Sequence, residues 1–184
     1  RYGLVGSEMC IRDRYESEGT KLNNNEIKME IRNAVTGIPT SKGVSKVTIN
    51  NIDDKPGIAS SIFLPLSEMG ISVDVIVQTA GNDGKTNLSF TLNDNDLESC
   101  VNELIKNNVS KKEFIKTQSG LGKISIVGTG IQNQPGYASR MFKTLSENNI
   151  NIEMITTSEI RITCIIKSSD LELAAKSLHK EFIT

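Results

Sequence analysis

Lys46-Val-Thr-Ile-Asn50 and Lys123-Ile-Ser-Ile-Val127 open two copies of one pattern, and that duplication decides the fold. Each is followed by a polar loop, a Pro-Gly pair (Pro56-Gly57 or Pro135-Gly136), and apolar residues recurring every three or four positions. In the first copy these are Ile58, Ala59, Ile62, Phe63, Leu66 and Met69; 79 positions on stand Tyr137, Ala138, Met141, Phe142, Leu145 and Asn148. The spacing predicts two one-sided helices. Period two then takes over at Ile71, Val73, Val75 and Val77, matched by Ile150, Ile152 and Met154, and predicts half-buried strands. Beyond them the offset falls to 74, where Leu88, Phe90 and Leu92 answer to Ile162, Cys164 and Ile166. Copy one thus carries five more residues in the hairpin Ala80 to Thr86. Asn95-Asp-Leu-Glu98 and Ser169-Asp-Leu-Glu172 have the form of capping boxes and predict a second helix in each copy.

Each copy therefore reads strand, helix, strand, strand, helix. A further strand candidate, Glu113 to Gln118, follows the first, whereas only Phe182-Ile-Thr184 follows the second helix of the other. The expected class is α+β: two ferredoxin-like βαββαβ domains at 45–119 and 120–184, with antiparallel sheets carrying their helices on one face. The last strand of the second copy stays open between strand exchange and a shortened end. Residues 16–44 are expected to form a linker, since Glu16 to Asn33 is polar and without sustained periodicity. Residues 1–15, with Gly6-Ser-Glu-Met-Cys-Ile-Arg-Asp-Arg14, read as a non-native, adapter-derived segment.

Composition narrows the function. Twenty-one Lys and Arg against 22 Asp and Glu leave a formal charge of −1, so no positive field gathers nucleic acid or anionic lipid. No apolar run reaches the length needed to span a bilayer, which makes the cytoplasm the expected location and excludes a membrane partner. Three scattered cysteines and one histidine, His179, point to neither a disulfide framework nor a metal or hydrolytic site.

The informative residues lie where the first strand of each copy meets its helix, because a helix N-terminus offers unpaired N–H groups and partial positive charge. Asp54-Lys-Pro-Gly-Ile-Ala59 adds a glycine that lets a ligand approach the backbone and an acid beside it. A carboxylate on the amides and an ammonium on Asp54 would together describe a free amino acid. In isolation, Asp-x-Pro-Gly also reads as a helix-start turn with no ligand. The second copy keeps Pro-Gly but has Asn133 in place of the acid, so the copies share geometry and differ in polar chemistry.

Asn33-Ala-Val-Thr-Gly-Ile38, Asp53-Asp-Lys-Pro-Gly57, Ile71-Ser-Val-Asp-Val75 with Gln78, and Asn151-Ile-Glu-Met-Ile-Thr-Thr-Ser-Glu-Ile-Arg-Ile162 resemble the regulatory region of aspartate kinase, built from tandem ACT domains. The resemblance implies feedback control of ATP-dependent aspartate phosphorylation in lysine, threonine and methionine biosynthesis, with lysine and/or threonine bound at ACT-to-ACT interfaces. It implies one pocket from Asp54, Pro56, Gly57, Ile58, Ala59 and Gln78, reached by Asn149, Asn151 and Ile152 of a partner. A second would use Gly136, Tyr137, Ala138, Glu153, Thr157, Ser158 and Glu159, with Asp74 opposite. A homodimer through the ACT domains is implied, as is an aspartate kinase catalytic domain or subunit. No cofactor is expected in this chain, because ATP and Mg would belong to a catalytic domain that the sequence does not contain, and no catalysis is expected of it alone. It would be a fragment of a longer kinase, or a separate regulatory subunit for which Met29 is a suitable start. The competing reading is a stand-alone ACT-type sensor acting on another enzyme or a transcriptional regulator.

Overall fold

The computed structural model describes residues 35–80, 84–129, 131 and 135–183. Six strands and four helices alternate along them: β1 (Thr40–Asp53), α1 (Ile58–Glu68), β2 (Val73–Ala80), β3 (Lys85–Asn93), α2 (Leu97–Lys106), β4 (Ile115–Val127), α3 (Tyr137–Glu147), β5 (Met154–Ser158), β6 (Arg161–Lys167) and α4 (Leu171–Phe182). All strand pairs are antiparallel, and the strands form one sheet in the order β2-β3-β1-β4-β6-β5.

The two predicted modules are present, joined by shared strands. The candidate strand after the first copy and the opening strand of the second are a single strand, β4, 13 residues long. The last strand of the second module, left open between strand exchange between the copies and a shortened end, comes instead from upstream of the first copy. The segment ahead of the first copy lies along β4: Thr40, Ser41 and Lys42 pair with Ile124, Lys123 and Gly122, and Gly37 bridges to Val127. Val35 is 2% exposed and sits in the second module's core. The strand thus begins inside the stretch expected as linker through residue 44, because the second module's sheet would otherwise end in an unpaired edge. The expected readings of residues 1–34, including Met29, lie outside the described residues, as do Gly81 to Asp83 and Asn133.

Each module packs its helices on one face. Val47, Ile49, Leu88 and Phe90 meet Ile62, Leu66, Cys100 and Leu104 in the first; Ile124, Ile126, Ile162 and Cys164 meet Met141, Leu145, Ala174 and Leu178 in the second. Burial pushes the Cys100 and Cys164 thiols up to about 12, so both are inert core residues. The capping boxes do not form: a short 3₁₀ turn leads into α2 and another into α4, with no side-chain cap bond at Asp96 or Asp170.

A third cluster, Val75, Leu121 and Ile165 with Val44, Val77 and Met154, is built from strand residues alone. It corrects the expectation of one buried face for Ile71 to Val77. A register shift between Val73 and Ile76 rotates β2, so Ile71 and Val73 meet the helices whereas Val75 and Val77 turn to the opposite face. β2 and β6 stand four places apart in the sheet, yet Val75 and Ile165 share this cluster, so the sheet curls onto its helix-free face. The curl coincides with register shifts around Val44, beside Gly43 (φ 72°) and Gly120 (φ 71°).

Gly122 is a close approach. A Cβ there would lie 2.8 Å from Leu171 Cγ and 3.1 Å from the Ser41 carbonyl oxygen, with Leu171 itself buried. Gly122→Ala is expected to cost about 1–3 kcal/mol by overpacking. The midpoint of urea unfolding should fall accordingly, and an unchanged midpoint would show that β4, β1 and α4 do not meet as described.

Candidate functional site

The two helix entrances have the same backbone. Gly57 (φ 90°, ψ −8°) and Gly136 (φ 106°, ψ −13°) are both left-handed, and among the described residues no side chain gives α1 or α3 a cap bond there. The first intrahelical bonds also match: Ser61 N–H donates to the Gly57 carbonyl at 3.0 Å, and Arg140 N–H to that of Gly136 at 2.9 Å.

Pro56, Gly57 and Ile58 line an open groove of about 640 Å³ with Asp53, Lys55, Ser61, Lys85 and the 107–111 turn. The Lys85 hydrogen bond and charge hold the Asp53 carboxyl below its usual range against the opposing effect of burial, and the Lys55 charge adds least. Asp54 is exposed and makes no described ion pair; its N–H donates to the Gly84 carbonyl at 2.8 Å. Asp54, Ala59 and Gln78 do not line the groove, and neither do Asn149, Asn151 and Ile152. Asn149 closes α3 with φ 56°, Ile152 packs on the second core, and Asn151 Nδ2 donates to Glu153 Oε1 at 3.1 Å.

The second expected group divides. Asp74, Thr157 and Ser158 line one cleft of about 450 Å³ with Lys123, Arg161 and Thr163, so it carries an acid from the first module and two cations and hydroxyls from the second. Gly136, Tyr137, Ala138, Glu153 and Glu159 do not line it. The Tyr137 ring stacks on Phe182 with centroids 6.0 Å apart, and the Arg140 guanidinium lies 4.7 Å from the Phe182 centroid. Glu159 is exposed in the turn between β5 and β6. Glu153 pairs with Lys46 across the helix-free face at 3.3 Å. Lys123 donates to Asp74 across the same face.

Lys46, Lys123 and Arg161 were not among the expected site residues. The two lysines were visible as the openings of the copies, but a strand's sequence does not say which distant strand its outer face will meet. Among the described residues no group of three His, Cys, Asp or Glu could hold a metal ion, and no helix is long and apolar enough to cross a membrane.

Two βαββα modules that share strands and present paired glycine helix entrances define a tandem ferredoxin-like domain, and comparison with known proteins gives the family. The ACT domain model matches residues 47–107 and 124–182. The aspartokinase of Helicobacter pylori strain 26695 is 42% identical over 145 residues, covering 79% of this chain and 36% of that protein. A crystal structure of aspartokinase alpha and beta subunits has 35% identity and a TM-score of 0.74 over 82% of this chain and 100% of that one. The ligand-free regulatory subunit of aspartate kinase from Thermus thermophilus has 32% identity and a TM-score of 0.72 over 81% and 99%. The chain belongs to the ACT-domain family, as a regulatory ACT region of the aspartokinase type. It spans only about two-fifths or less of the first curated relatives it matches.

Proposed function

We propose that this chain senses an end-product amino acid, lysine alone or together with threonine, and transmits its binding as feedback inhibition to an aspartate kinase catalytic part in the cytoplasm. The observation that carries the reading is the duplicated Gly57 and Gly136 entrance without a described side-chain cap, where first-turn amides other than that of Ile58, which donates to the Lys55 carbonyl at 3.2 Å, can receive a carboxylate. Pro56 and Ile58 would wall the groove, and Asp54, which stands next to it in the chain without lining it, would have to turn inward with Ala59 and Gln78 to take the ammonium group. Because Asn149, Asn151 and Ile152 do not reach this groove, they would complete it from a second copy. Among the described residues β2 and β5 have no further strand beside them, and Ile76 on β2 and Ile155 on β5, at equivalent positions, are 50% and 43% exposed, which leaves both edges to such a copy. The cleft of Asp74, Lys123, Arg161, Thr157 and Ser158 would hold a second zwitterion between the modules of one chain. A coupling of about 1–3 kcal/mol, roughly 5- to 150-fold, suffices for inhibition if the ligand prefers one arrangement of the modules.

Calorimetric titration with lysine, threonine and methionine tests this. Lysine, or lysine and threonine, is expected to bind. Loss of a charge-assisted hydrogen bond in Asp54→Ala should weaken that binding about tenfold or more. Absence of binding by all three amino acids, or equal binding by the variant, would refute the site. Sedimentation in the same samples should give a dimer.

A further inference from the structure

The ion pairs on the helix-free face are related by the internal duplication. Lys46 and Lys123 open the two copies, and Asp74 and Glu153 stand 79 positions apart. Each lysine pairs with the other copy's acid: Lys46 Nζ with Glu153 Oε2 at 3.3 Å, and Lys123 Nζ with Asp74. Between them Val44 lies opposite Leu121 in register, and Val75 and Met154 are again 79 positions apart. This is the reciprocal pattern of a two-fold interface, here within one chain.

The two pairs differ in environment. The side chains of Lys46 and Glu153 are 17% and 18% exposed, against 26% and 53% for Lys123 and Asp74. Removing one partner of the inner pair therefore leaves a poorly solvated charge. Glu153 is also shared, since its Oε1 accepts from Asn151 while Oε2 takes Lys46. Burial acts to raise the Glu153 carboxyl, but hydrogen bonds from Gln118, Asn151 and Lys46 and the Lys46 charge outweigh it and hold it below the usual range.

We propose that Glu153 is a positioning residue: it fixes Asn151 for the ligand and, through Lys46, latches that residue to the opposite module, so ligand binding and the docking of the modules are coupled. The ligand half rests on the amino-acid reading above; the latch does not.

Hydrogen exchange of the full chain tests the latch. Lys46→Met and Glu153→Gln should each speed exchange in residues 73–79 and 154–158 by about fivefold, with the double variant no faster than either single one. The swapped pair, Lys46→Glu with Glu153→Lys, should restore protection, and Lys46→Arg should keep it. Lys46 lines neither cleft, yet Lys46→Met should weaken lysine binding by about fivefold. Additive effects, or a swapped pair no better than the single variants, would overturn the latch. Unchanged lysine affinity in Lys46→Met with faster exchange would overturn the coupling. If wild type binds neither lysine nor threonine, the amino-acid reading fails, and the exchange cycle decides the latch by itself.

Discussion

A chain that begins at Gly43 should lose the cooperative folding of its second module. The truncation removes Val35 from the core and the pairing of Thr40, Ser41 and Lys42 with β4. It also removes the bonds from Thr36 N–H to the Val127 carbonyl (2.7 Å), from Val127 N–H to that of Gly37 (2.9 Å) and from Ser125 N–H to that of Pro39 (3.0 Å). Burying a valine is worth about 1.5–3 kcal/mol and each backbone bond about 0.5–1.5 net. Their sum is a large share of the roughly 5–15 kcal/mol that holds a domain. Hydrogen exchange should show lost protection over 124–182 and retained protection in β3, which pairs with the remaining part of β1. The exposed flank of β4 should also promote aggregation. A chain starting at Met29 keeps the segment and should match the full chain. Equal protection in the Gly43 chain would show that the upstream segment is dispensable.

The second large effect is expected at the helix entrances. A Cβ at Gly57 or Gly136 meets no described atom within 4 Å, so the first cost of substitution is carried by the backbone. Forcing valine into φ 90° or 106° costs about 1–3 kcal/mol, relieved by turning the amides away from their present direction. Gly57→Val should therefore weaken lysine binding by at least about tenfold, the equivalent of roughly 1.4 kcal/mol. Gly136→Val should have a smaller effect, because its copy lacks the acid that Asp54 provides. Calorimetry on both variants, with circular dichroism to confirm folding, separates the contributions of the two helix entrances. Equal affinities across wild type and both variants would show that these amides hold no carboxylate.

The helices illustrate how much of the fold local pattern carries. Ile62 and Leu66, and 79 residues later Met141 and Leu145, fall on one helical face and are buried. Their partners Leu88, Phe90, Ile162 and Cys164 follow from strand alternation. The candidate site was legible where it depended on backbone conformation, at Gly57 and Gly136, and illegible where it depended on which surfaces meet. Asp74 and Glu153 looked alike as polar residues of equivalent strands; one lines a cleft with Lys123, and the other is drawn under Lys46.

Periodicity and duplication alone determined the two modules, their helix faces and their paired entrances, because these depend on residues within a few turns or one hairpin of each other. Only the tertiary structure decided that residues 35–42 complete the second module, that β2 rotates at its bulge, and that each copy's lysine crosses to the other's acid. Those outcomes depend on unpaired edges and outer faces finding partners tens of residues away, and no local pattern records that choice.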